Sequence, residues 1–312
     1  MTEASTIGVT ADTGVPVHEG GDVGEARSLA SDAWRSLKRN WVFWFSVVLI
    51  TLFVLMSIWP SLFTNVSPNE AILAKARERP SGDAWFGRDI QGYDIYSRTI
   101  YGARASILVG VFTSVFTVIL GSVLGMLAGF NGGWLDAVLS RITDMFFAIP
   151  LLLGGILFMS VIPNDANTPY FVVVGKVIVV MGIFGWPSIA RLMRSSVMQV
   201  KPNDYVQAAR ALGASPLRII RSHILPNAMA PVIVVATINL GVFISVEATL
   251  SFLGIGLTPP AVSWGVAISD AIVALRTTPH ILLFPSLFLC LAVLAFIMLG
   301  DAVRDAFDPK SR

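Results

Sequence analysis

The residues of this chain that could do chemistry are few, and their placement excludes most kinds of it. The three histidines, at positions 18, 223 and 280, stand far apart. The sequence contains no His-Glu-x-x-His zinc pattern, no Gly-x-Ser-x-Gly nucleophile turn, no paired acids in apolar runs and no Gly-x-x-x-x-Gly-Lys phosphate loop. Nothing in it resembles a metal-ligand cluster either. What remains is hydrogen bonding and charge, concentrated at two places.

The first is Glu247, in the middle of an apolar run with Ser245, Thr249 and Ser251 around it and Thr237 and Asn239 earlier in the same run. An ionisable group in hydrocarbon is costly. It must either line a polar path or fix helices through interhelical hydrogen bonds. Asn239, Ser245, Glu247 and Ser251 are therefore candidates for a path across the chain or for a subunit contact.

The second is residues 204–226, DYVQAARALGASPLRIIRSHILP, a polar and basic segment between long apolar runs. Gly213 can end one helix, Ser215 can cap the next, and Pro216 suits that helix's first turn. Helical spacing puts Tyr205, Ala208, Ala209 and Leu212 on one face of the first helix, a shallow surface into which another protein could pack. On the second helix, Leu217, Ile220 and Ile224 form an apolar stripe, with Arg218, Arg221 and Ser222 facing away. Such a knob either grips a partner or rests on anionic lipid headgroups.

The elements that position these residues are membrane helices. Of the 312 residues, 54% are hydrophobic and 13% are charged, against about 25% charged in an ordinary soluble domain. The excess falls in blocks of the roughly twenty residues that span a bilayer. These blocks cover 41–63, 105–130, 142–162, 171–190, 231–257 and 281–300, so an all-α integral membrane protein of about six transmembrane helices is expected. A net charge of +2 gives no case for a nucleic-acid partner. Residues 1–30 are expected to form a disordered tail, and 31–63 a surface helix and the first span, uncleaved. An extracytoplasmic loop over 64–104 should precede a core of five spans over 105–303 and a short tail over 304–312. Basic residues at 35–39, across 191–221 and at 304–312 place both termini and the knob in the cytoplasm. Lys176 is expected to snorkel to an interface, Asp144 to pair with Arg141, and Cys290 to be a packed, inert thiol.

The order Gln207-Ala208-Ala209, three residues, Gly213, nine residues, a further position and Ile224-Leu225-Pro226 resembles the coupling-loop signature of importer permeases of the ATP-binding cassette class. That signature runs Glu-Ala-Ala, three residues, Gly, nine residues, Ile, one residue, Leu-Pro. Gln207 stands where the family has Glu, and His223 where it has Ile. Further segments are similar to the second permease subunit of dipeptide, oligopeptide and nickel importers. They include Phe86-Gly87-Arg88-Asp89, Tyr101-Gly102-Ala103-Arg104, Glu247-Ala248-Thr249-Leu250-Ser251-Phe252-Leu253-Gly254 and Ser263-Trp264-Gly265. The likeness runs over residues 30–309.

The resemblance implies the type I importer permease fold in a bacterial inner membrane, and a chain that is not itself an enzyme. It implies a second homologous permease, two ATPases that bind ATP and magnesium, an extracytoplasmic solute-binding protein and surrounding lipid as partners. Asp204, Tyr205, Gln207, Ala208, Ala209, Gly213, Ser215, Pro216 and Pro226 would then couple to the ATPase, and the Glu247 strip would meet a translocated peptide or another subunit. Asp83, Asp89, Asp94 and Trp264 are candidates for docking the binding protein. Nickel or another small solute is the alternative substrate. An ion-coupled carrier using Glu247 as a proton relay is the competing class, and it leaves the knob unexplained.

Overall fold

In hydrocarbon no water satisfies backbone N–H and C=O groups, so the apolar runs fold as helices. The computed structural model describes residues 29–165 and 167–307, so the tail expected over 1–30 falls outside them up to residue 28, as do residues 308–312. Eleven α-helices follow in order among the described residues: α1 Leu29–Arg39, α2 Trp41–Ile58, α3 Ile95–Asn131, α4 Gly133–Phe147, α5 Leu151–Val161, α6 Tyr170–Val200, α7 Asp204–Ala211, α8 Pro216–Ile219, α9 Leu225–Phe252, α10 Trp264–Ala271 and α11 His280–Phe307.

Five helices are long and apolar enough to cross a membrane, and α4 with α5 forms a sixth apolar segment bent by 79°. The expected single span over 142–162 is thus two helices. Its break falls at Pro150, which has no N–H to continue the ladder and disfavours helical geometry in Ile149. Helix directions show that the bent pair crosses. Gly121 of α3 faces Trp186 and Ile189 of α6, and Gly129 faces Arg194 and Val197, so α3 and α6 run parallel. The chain between two parallel helices must return from one end to the other.

The remaining directions follow from similar contacts. Ser114 of α3 donates to the Ala236 carbonyl at 3.1 Å while Ser106 reaches Glu247, which makes α9 antiparallel to α3. Gly300 meets Ile238, and Gly241 meets Val293, so α11 is antiparallel to α9. Both described ends of the chain therefore lie at the end that carries α7. Here α1 packs on the last turns of α11, with Ala33 and Leu37 against Ala302 and Ala306.

The tightest contact is between α3 and α6. A methyl group at Gly125 would collide with the Ala190 carbonyl, and one at Gly121 or Gly129 would press on the Trp186 or Arg194 carbonyl. This stripe of glycines at every fourth position lets two backbones touch, which is how helices adhere where lipid removes the hydrophobic drive. Polar pairs then fix α4 to α6. Arg194 holds Asp136 through two bonds of 2.5 and 2.7 Å. Asp144 pairs with Arg191 at 2.7 Å, not with its neighbour Arg141, because α6 brings a guanidinium across that also stacks on Phe147 at 3.9 Å. The helix α6 itself runs on to Val200, ten residues past the expected end of its span at Ala190.

At the opposite end, α3 begins at Ile95, ten residues before its apolar run, so the expected loop to residue 104 is shorter. Asp94 caps this start by accepting the Ser97 N–H at 2.7 Å. Arg104 donates to the Ser57 and Ile58 carbonyls and so seals the end of α2. Lys176 reaches the end of its span, bonding the Pro163 carbonyl and Asn164 Oδ1 at 3.1 Å each, as snorkelling predicts. Cys290 differs from expectation: it is exposed on the flank of α11, which turns Ala292, Ala295 and Phe296 inward instead.

Candidate functional site

Helix α6 stops where Pro202 cannot supply the next N–H, and the chain turns into α7. Val206 is the only buried residue of α7. It sits among Met193, Val197, Ile219, Ile224 and Ala228, an anchor that its single apolar side chain hardly advertises in sequence. With Val206 inward, Asp204, Tyr205, Gln207, Ala208 and Leu212 are exposed, Leu212 to 88%.

The turn after α7 is built as its residues predict. Gly213 takes φ +79°, a left-handed conformation that a side chain would strain, and the Ala214 N–H then reaches the Ala209 carbonyl at 3.1 Å. Ser215 caps α8 by accepting the Arg218 N–H at 3.4 Å, and Pro216 occupies the first turn. A π turn over Ile220–Ile224 joins α8 to α9, so the second half of the knob and its span form one helix, Pro216–Phe252. The wide turn makes room for Pro226, which lacks an N–H and would crowd a regular turn. It also shifts the register. Ile219 and Ile224 are buried, whereas Leu217, expected on the inner stripe, is exposed.

The two helices enclose an open groove of about 420 Å³ lined by Tyr205, Ala208, Ala209, Leu212, Gly213, Ala214, Arg218 and His223. Its floor is small and apolar and its rim carries Arg218. Beside it, Gln207 turns back: its Nε2 donates to the Lys201 carbonyl at 3.0 Å. Lys201 in turn donates from Nζ to the Phe130 carbonyl at 2.6 Å.

Glu247 is wholly buried. Its Oε2 accepts from Ser106 Oγ at 2.9 Å and its Oε1 from Ser251 Oγ at 2.8 Å. Ser251 Oγ also accepts the Leu257 N–H at 2.9 Å, which holds the loop leaving α9. Glu247 and Ser251, expected at a path or a subunit contact, have no surface left for either; they fasten α3, α9 and that loop together. Asn239 and Ser245 are half-buried, and Ser245 spends its hydroxyl on the Gly241 carbonyl.

The candidates at the loop end divide in the same way. Asp89 Oδ1 accepts the Gln91 and Tyr93 N–H groups at 2.9 Å each, and Oδ2 pairs with Arg98 at 3.1 Å. Asp94 is the cap of α3. Trp264 is fully buried, with Nε1 on the Thr99 carbonyl at 2.8 Å and its ring against Phe53. These three build the loop end and offer no docking surface. Asp83 alone is exposed, only loosely paired with Lys75 at 3.9 Å.

Two family models cover most of this architecture. Residues 121–312 match the binding-protein-dependent transport system inner membrane component family, and residues 28–80 match the N-terminal transmembrane domain of oligopeptide transport permease C. The chain is 39% identical over 285 residues to the oligopeptide transport system permease protein OppC of Bacillus subtilis (strain 168), covering 91% of each.

The chain belongs to this permease family.

Other relatives of the permease are the dipeptide transport system permease protein DppC of the same organism, 38% identical over 91% of this chain and 87% of that one, and the glutathione transport system permease protein GsiD of Escherichia coli O6:K15:H31, 35% identical over 92% of each. Among solved structures, the MetNI methionine ABC transporter in an inward-facing conformation superposes with a TM-score of 0.53 at 21% identity, over 67% of this chain and 96% of that one. An amino acid ABC transporter gives 0.51 at 16% identity, over 65% and 91%. These share the fold. The permease is accordingly a multi-pass inner membrane protein.

Proposed function

We propose that this permease forms half of the translocation pore of an ATP-driven importer of short peptides and couples to its ATPase through residues 204–226. The observation that carries the reading is the open groove on α7 and α8. It exposes Leu212 and small residues at a knob continuous with α9, a form suited to receive a partner and pass on its movement. In this reading both termini and the knob are cytoplasmic, and the 59–94 loop and α10 face outward. The chain supplies no catalytic group; two ATPase chains bind ATP and magnesium, and a second permease completes the pore. An extracytoplasmic binding protein delivers the solute. The printed names of its relatives, oligopeptide and dipeptide permeases, support peptides as that solute.

Gly213→Trp tests the proposal. It should insert at wild-type level and abolish both ATPase co-purification and uptake, because the left-handed turn and the groove floor are lost together. Wild-type uptake by this variant would reject the coupling role.

A further inference from the structure

Lys201 stands between the coupling helix and the body of the permease. It caps α6 at Val200, and its Nζ lies 2.6 Å from the Phe130 carbonyl and 5.8 Å from the Phe130 ring centroid. Phe130 is in the last turn of α3, where carbonyls have no intrahelical donor and carry the negative end of the helix dipole. A lysine ammonium is held there by a hydrogen bond and by the field of the helix. On its other side, the Lys201 carbonyl accepts the Gln207 side chain at 3.0 Å.

The departure from the family signature at position 207 acquires a reason here. Only a donor can face a carbonyl oxygen; a carboxylate at the same place would repel it. Gln207 therefore binds back onto its own chain, where a glutamate would present a charge outward. Behind Lys201, α3 and α6 touch backbone to backbone along Gly121, Gly125 and Gly129, so a displacement applied at their joint end moves both.

We infer that Lys201 is a positioning residue that, with Gln207 as its link to α7, passes movement of the coupling helix to the paired helices α3 and α6. The inference rests on the proposed contact between α7 and the ATPase. If that holds, uncoupling should be possible without loss of assembly.

The test uses the reconstituted complex of both permeases, the ATPases and the binding protein, with an isotope-labelled pool of short peptides. Uptake per ATP hydrolysed is measured beside co-purification of the ATPase. Lys201→Met should keep co-purification within about twofold while uptake per ATP falls by about fivefold or more, the lower end of typical coupling effects. Lys201→Arg, which keeps the donor, should restore more than about half of the ratio, and Gln207→Glu should lower it by about threefold. The double variant should be no worse than Lys201→Met alone, as expected of two links in one chain. A ratio within about twofold of wild type for Lys201→Met overturns the inference. So does absence of rescue by arginine, and so does loss of ATPase co-purification, which would make Lys201 part of the contact surface. The underlying reading fails by a different result: unchanged co-purification when Ala208 is replaced by Trp.

Discussion

Ser106 Oγ on α3 donates to Glu247 Oε2 on α9 at 2.9 Å, with the carboxylate wholly buried inside the helix bundle. Glu247 thus fastens two spans to each other. Removing it leaves the hydroxyls of Ser106 and Ser251 without their acceptor, at about 1–3 kcal/mol for each buried group left unmade. Glu247→Ala should lower the thermal midpoint of the purified permease, while Glu247→Gln, which keeps one acceptor, should lie between it and wild type. An unchanged midpoint for the alanine variant would remove the structural role.

Packing of α3 on α6 predicts a sharp contrast between glycines. Gly125→Val places a branched side chain against the Ala190 carbonyl and Met193, and should abolish folded, monodisperse protein in detergent. Gly175, also helical, has open space where a Cβ would stand. Gly175→Ala should be neutral in the same chromatographic assay, and equal behaviour of the two variants would contradict the close approach.

The pair Arg194–Asp136 predicts a rescue. Either single reversal places like charges at the α4–α6 contact and should lower stability, and the double exchange Asp136→Arg/Arg194→Asp should recover part of it. A double-mutant cycle on thermal midpoints should yield a coupling of about 0.5–3 kcal/mol. Additive losses would show that the pair, though short, fixes nothing.

The acids at the loop end should separate by burial. Asp94→Ala loses the cap of α3 and should cost about 1 kcal/mol, without changing the affinity of the binding protein. Asp83→Lys should leave stability unaltered, since this side chain is 83% exposed. Binding-protein affinity, measured in nanodiscs, tests whether Asp83, the exposed one of the three aspartates, contributes to docking.

Much of this was legible in the residues, for physical reasons that also mark where legibility ended. Apolar runs near bilayer length give spans, and Gly213, Ser215 and Pro216 give the turn between α7 and α8, because these signals are local. Pro150 stood in plain view but could not say whether it kinks or breaks its helix; that depends on where α6 lies. The distant partners of Asp144 and Glu247 were hidden: Arg141 is as visible beside Asp144 as Arg191, and of the two serines that bind Glu247 only Ser251 lies near it in sequence, while Ser106 comes from α3. Burial of Asp89, Asp94 and Trp264 was equally non-local. Val206 and Lys201 carry no composition signal at all: one is a lone valine in a polar helix, the other one basic residue among many.

The central claim is that the face of α7 meets an ATPase. Leu212→Cys, in a chain with Cys290 replaced by serine, should be cross-linked by a short thiol-to-amine reagent in membranes containing the full complex. The predicted result is an adduct of permease and ATPase whose yield changes between nucleotide-free and ATP-bound conditions. A cysteine that labels fully with a small thiol probe yet forms no adduct with the ATPase in either condition would contradict the account.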